Sequence, residues 1–203
     1  MVSEKQLKFS CTICGNCCKD KNTLVNVTYS DILRIKNSLH LNLNEILEII
    51  GFYVLNQGIS KEDQRKMVIS PIESEKGLAF VGLMKNSNGC CLFYDEENKK
   101  CSIYALRPMF CRSFPFSFQK LKDKNKKKIK IFYTEKAKQF CPGIGPEAPN
   151  INNNYWINLG NNIIEDLKRN QIVIKDWNDK IRKGGISPSV KNFLQIISNL
   201  NER

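Results

Sequence analysis

The chain has 203 residues, nine of them cysteine, and carries a formal net charge of +12 with a mean hydropathy of −0.38. A chain of this length buries roughly 70% of its unfolded surface and needs no disulfides to fold, and 41% hydrophobic with 26% charged residues excludes wholesale disorder. The start, Met1-Val2-Ser3-Glu4-Lys5-Gln6, lacks a signal peptide's apolar core and no apolar run reaches a membrane span of roughly 18 residues, so a cytoplasmic protein with no membrane partner is expected.

Residues 9–18 read Phe-Ser-Cys-Thr-Ile-Cys-Gly-Asn-Cys-Cys, a knuckle without helical or strand period. Thr28-Tyr29-Ser30-Asp31 has capping-box spacing, and Ile32, Leu33, Ile35 and Leu39 form the stripe of a short helix. A second helix is predicted from Asn42, with Glu45 three residues on, to about Ile50, where Gly51 stops it. From residue 65 to 94 the pattern turns to β: Met67-Val68-Ile69, then residues 78–83, then Cys91-Leu92-Phe93-Tyr94 after the Asn86-Ser87-Asn88-Gly89 turn. Residues 114–121 and 129–133 read as a hairpin whose tip is rich in lysine. Pro142, Gly143, Gly145, Pro146 and Pro149 break regular structure, and helical periodicity returns with Trp156, Leu159, Ile163, Ile164 and Leu167, then Val190, Phe193, Leu194 and Ile197. The expected fold class is therefore α+β: a small metal-stapled domain of short helices, short antiparallel strands and long loops over residues 1–149, plus a helical C-terminal extension over 150–203.

Clustered thiols in a reducing compartment read as metal ligands or redox groups, and an odd count cannot pair fully within one chain. Cys11, Cys14, Cys17 and Cys18 form C-x2-C-x2-C-C. One C-x2-C step aims two sulfurs at one ion, and the repeated step is the pattern by which ferredoxins hold three corners of a cluster. Cys17 and Cys18 are adjacent; on an extended backbone their side chains diverge, so each is expected to serve a different centre. Two four-thiolate centres need eight cysteines, and Cys91, Cys101, Cys111 and Cys141 complete that number with Cys90 left over as a small buried thiol. Thiolate ligation suits zinc and iron–sulfur clusters alike. The single histidine, His40, is remote from every cysteine and reads as a surface or capping residue.

These residues carry a resemblance. Phe9-x-Cys11-x2-Cys14-Gly15-x-Cys17-Cys18, Cys91-x-Phe93, Cys101-x-Ile103-Tyr104-x2-Arg107-Pro108-x2-Cys111-Arg112-x-Phe114-Pro115 and Cys141-Pro142-Gly143-x-Gly145 resemble, in order, the blocks of the CxxCxxCC (YkgJ-like) family, described as zinc- or iron-chelating. Thr28-x2-Asp31-Ile32 is similar to it as well. The resemblance spans residues 9–145 and implies the same eight ligands, with Cys90 outside the pattern. One branch of the family includes a flagellin lysine N-methylase, which shares the cysteine motif.

In the third block, Arg107 and Arg112 flank Cys111, where guanidinium groups can hydrogen-bond a thiolate. Phe110, Phe114, Phe116 and Phe118 can shield a cluster from water, although ordinary core is the simpler reading. Residues 100–140 hold twelve Lys or Arg against Asp123 and Glu135, which is +10 of the total +12. The hairpin tip (Lys120, Lys122, Lys124, Lys126, Lys127, Lys128 and Lys130) can contact phosphates, with Phe132 and Tyr133 near enough to stack a base. A solvated tip is the preferred reading, because two four-thiolate centres of charge −2 would themselves lower +12 to about +8. The leading functional expectation is a metal-binding protein holding iron–sulfur or zinc, in a redox or metal-handling role with a protein partner. The alternatives are a metal-dependent enzyme modifying protein lysines, and a nucleic-acid-binding protein with structural metals. Against the enzyme, Gly143-Ile144-Gly145 is too short for a nucleotide-binding fingerprint.

Overall fold

The computed structural model describes residues 6–55, 67–121 and 129–200. Its elements follow the α+β expectation: α1 (Asn16–Lys19), α2 (Tyr29–Ser38), α3 (Leu43–Ile49), β1 (Ile50–Val54), β2 (Ile72–Ser74), β3 (Gly77–Leu83), β4 (Tyr94–Asp95), β5 (Lys100–Cys101), a 3-10 turn (Tyr104–Leu106), α4 (Met109–Ser113), β6 (Phe116–Lys120), β7 (Ile129–Tyr133), α5 (Glu135–Phe140), α6 (Asn153–Arg182) and α7 (Val190–Ser198). Both capping boxes form. Thr28 and Asp31 close one at the start of α2, and Asn42 and Glu45 close the other at the start of α3. The lone histidine ends α2. His40 sits at φ 55 just past the cap, its amide donates to the Asn37 carbonyl and the Leu41 amide to that of Lys36, which is a Schellman ending.

The second helix stops at Ile49, as expected, but the chain then runs on through Gly51 as β1, a strand the sequence pattern did not signal. Glycine is needed there for a close approach: a Cβ would stand 2.8 Å from the Met84 sulfur and 2.8 Å from the Tyr53 ring. Met67, Val68 and Ile69 form no strand; Val68 is exposed and only Ile69 enters the core. The lysine-rich tip lies at 122–128, outside the described residues, between β6 and β7, which pair antiparallel from Phe116↔Tyr133 to Lys120↔Ile129.

β1, β3 and β2 make one antiparallel sheet with β3 central. Its buried residues Ile50, Ile72, Val81 and Leu83 join Ile32, Leu33 and Ile35 of α2, Ile46 of α3, Ile174 and Trp177 of α6, and Phe193, Leu194 and Ile197 of α7 in one cluster. α6 also replaces a missing strand beside β2. Asn178 accepts from the Glu73 amide at 2.8 Å and donates to the Pro71 carbonyl at 3.0 Å, while the Trp177 indole donates to the Glu73 carbonyl at 2.9 Å. A second cluster gathers Phe116, Ile151 and Trp156, with Phe9 and Tyr133 packed against it. Among the described residues no helix is long and apolar enough to cross a membrane.

Leu194 is fully buried within the larger cluster. Leu194→Ala is therefore expected to cost about 2–5 kcal/mol, the range for a large-to-small change in a packed interior. A lower urea midpoint at unchanged slope checks it, and a cost under about 1 kcal/mol would show that α7 packs only loosely on the rest.

Candidate metal centre

Cys17 and Cys18 lie on α1, a single helical turn launched from Gly15, which takes φ 73. The extended backbone assumed from sequence is thus corrected: successive helical side chains do not oppose each other, and the two sulfurs stand 4.0 Å apart. An edge of a tetrahedral zinc–thiolate site is about 3.8 Å for a metal–sulfur distance of 2.3 Å. Glycine at position 15 also leaves room for the ring of Tyr94, against whose hydroxyl a Cβ would collide.

Backbone hydrogen bonds draw the remote cysteines to this turn from two sides. On one side, the Ser10 amide donates to the Gly143 carbonyl at 3.1 Å and the Phe9 amide to that of Pro149 at 3.0 Å. These bonds lace the Cys11 segment to the loop that carries Cys141. Asn16 Nδ2 donates to the Phe140 carbonyl at 3.2 Å, tying α1 to the same loop. On the other side, the Cys91 amide donates to the Cys18 carbonyl at 2.8 Å. Tyr94, beneath Gly15, pairs with Cys101 across β4 and β5, and Cys111 follows on α4. Asp20 anchors the end of the turn through Lys136 and Thr23, and Lys85 donates to the Asp20 carbonyl at 3.0 Å. Against the desolvation that would raise it, bonds from Lys136, Thr23 and the Asn22 amide hold the Asp20 carboxyl down at about 2.

The electrostatics separate Cys141 from Cys91, Cys101 and Cys111 but leave Cys17 acting on all four. Cys141 feels Cys14, Cys11 and Cys17, whereas Cys111 feels Cys91, Cys17 and Cys101. Cys17 belongs to both fields. The Cys18 thiol at its side, donating a hydrogen bond, holds Cys17 down at about 7, with further help from Arg107, and the same pairing pushes Cys18 up. Burial raises Cys91, Cys101, Cys111 and Cys141, so they become thiolates only when a cation compensates them. Among the described residues no three His, Cys, Asp or Glu side chains already surround a common point. The all-sulfur donor set fits zinc or iron.

Cys90 is buried, and its amide donates to Asn86 Oδ1 at 3.0 Å. The arginines separate. Arg107 stacks over Tyr104 at 3.8 Å and lies in the field of Cys17 and Cys101. Burial lowers Arg112 first, then the nearby Arg34, among Asp31, Asp166 and Tyr155. The aromatic shell is ordinary core in part, with Phe116 in the second cluster, while Phe114 stacks on Phe140 beside Cys141 at 5.9 Å. Tyr133 is not free for a base: it stacks on Phe116 at 5.1 Å, and its hydroxyl donates to the Lys8 carbonyl at 2.6 Å and accepts from its amide at 2.8 Å. Tyr94, Asp20, Lys85 and Asp31 support the site without any signal in the cysteine spacing. Of these, Asp31 is legible in the sequence, both as a helix cap and within the Thr28-x2-Asp31-Ile32 block of the family resemblance.

Comparison with known proteins points to metal chelation by this region. The chain is 28% identical over 129 residues, 59% of its length and 56% of the relative's, to the uncharacterized protein MJ0661 of Methanocaldococcus jannaschii. The chain thus spans just over half of that relative. No solved structure matches it. Residues 10–142 match the model of the CxxCxxCC family, described as a "Putative zinc- or iron-chelating domain", and the stretch takes in all nine cysteines. That match covers well over half of the chain, which belongs to the CxxCxxCC family.

Proposed function

We propose that the protein binds two metal centres, each through four thiolates. Cys11, Cys14, Cys17 and Cys141 hold the first; Cys18, Cys91, Cys101 and Cys111 hold the second. The observation that carries the reading is the pair of backbone links on either side of α1: the Ser10 amide on the Gly143 carbonyl joins the Cys11 segment to the Cys141 loop, and the Cys91 amide on the Cys18 carbonyl joins the other cysteine block to Cys18. Counting supports the division: Cys11, Cys14 and Cys141 lack one ligand, as do Cys91, Cys101 and Cys111. Zinc would supply a closed structural site, and an iron–sulfur cluster would supply one-electron transfer. This chain's own residues bring the thiols together and compensate their charge through Arg107 and Lys85.

Metal and acid-labile sulfide measured on anaerobically purified protein test the proposal. Two zinc equivalents without sulfide, or iron with matching sulfide, are expected. Less than one equivalent of any metal overturns it.

A further inference from the structure

We infer that Asp31 is a positioning residue for Cys111, and that α6 acts on the second metal centre through it. The inference rests on the two-centre reading. Asp31 is fully buried at the start of α2, and its carboxylate does more than cap its own helix. Oδ2 accepts the Thr28 amide at 3.2 Å, which closes the capping box. Oδ1 accepts the Met109 amide at 3.0 Å and Arg34 Nη2 at 2.7 Å. Met109 opens α4, two residues before Cys111, where helix-end amides have no partner within the helix. The residue in the cap position, Pro108, offers no side-chain acceptor. A carboxylate from 78 positions earlier fills that role. Arg34 Nη2 also donates to the Arg107 carbonyl at 3.0 Å, so the turn leading into α4 is gripped at both Arg107 and Met109. These bonds involve charged groups and are roughly twice as strong as neutral ones.

The other end of the chain of bonds is on α6. Thr28 Oγ1 donates to Asp166 Oδ2 at 3.0 Å, Ser30 Oγ to Asp166 Oδ1 at 2.6 Å, and the Tyr29 amide to Asn170 Oδ1 at 2.9 Å. Asp166 and Asn170 lie one turn apart on one face of α6. A continuous path therefore runs from α6, which carries no cysteine, through the cap of α2 to the helix holding Cys111. α3 provides the contrast, since its capping-box residue Glu45 is exposed and bonds its own cap. A buried, doubly employed carboxylate is more than the ending of α2 requires.

The test uses the full chain loaded with Co²⁺, whose visible bands report tetrahedral thiolate ligation, and follows release of each equivalent to a chelator. Asp31→Ala is expected to speed release of one equivalent by roughly 10–100-fold and to shift its bands, leaving the other unchanged. Asp166→Ala should act on the same equivalent by roughly tenfold, the low end of that range. Asp166→Asn, which keeps one of the two acceptor oxygens, should speed release less than Asp166→Ala. Glu73→Gln removes the Arg182 ion pair at the far end of α6 and should change neither rate. Should Asp31→Ala fail to fold, the Asp166 pair decides. Unchanged rates in Asp166→Ala, or equal acceleration of both equivalents, overturn the inference, whereas a wild-type chain that takes up no Co²⁺ overturns the two-centre reading itself.

Discussion

Cys17→Ser and Cys18→Ser are expected to lose different metals. Under the proposed division the first variant keeps about one of two equivalents, held by Cys18, Cys91, Cys101 and Cys111, and the second keeps the other. Loss of a direct thiolate should weaken its centre by more than the roughly 10–100-fold typical of an outer-shell change. Cys90→Ser, at a buried thiol outside both sets, should retain both equivalents. The contrast matters because a sulfur separation of 4.0 Å also suits two ligands of a single ion. Were both cysteines to ligate one shared metal, either substitution would empty the same centre and the two variants would be indistinguishable. Metal per chain, combined with Cys141→Ser and Cys111→Ser as single-centre references, separates the outcomes. Identical losses in Cys17→Ser and Cys18→Ser would sink the division.

How much of this was legible beforehand depends on how local each cause is. The caps of α2 and α3 were readable because every group involved lies within three residues of its partner. The cysteine blocks were readable because metal ligation imposes spacing on the sequence. β1 was not, since Gly51 serves the approach of Met84 and Tyr53, and a glycine read alone resembles a helix stop. The single turn of α1 was missed for a related reason. Four residues make no period, and only Gly15, at φ 73, signals that the backbone reverses there before Cys17. The second use of Asp31 is the most instructive case. Its capping role is local and was visible, while its bond to the Met109 amide spans 78 positions and has no sequence signature. The same limit applies to Arg112, whose neighbours Arg34 and Asp166 lie on other helices.

Removing the metals should release the cysteine-bearing loops while the sheet-and-helix core survives. The large cluster draws its side chains from α2, α3, the three-stranded sheet, α6 and α7, and of the cysteine loops only Ile103 is among its buried members. Cys91, Phe93, Cys101, Leu106 and Phe110 pack against the cluster while only partly buried. β4 and β5 are two residues each, α1 four and α4 five, lengths far below what sustains an isolated hairpin or helix. A structural zinc contributes about 10–16 kcal/mol in small metal-folded peptides, comparable to the whole stability of a domain. Chelation under reducing conditions is therefore expected to cost the amides of Cys18, Cys91, Ser102 and Ile144 at least about 100-fold in hydrogen-exchange protection, each being bonded within the cysteine loops. Amides of α2, β3 and α6 should keep theirs. The Met109 amide offers an internal gauge: bound to Asp31 on the surviving core, it should stay more protected than Cys91 after metal loss, although both lie in cysteine blocks. Simultaneous loss across all elements would mean that the metals hold the entire fold. Equal loss at Met109 and Cys91 would mean that α2 does not grip α4 independently of the metal.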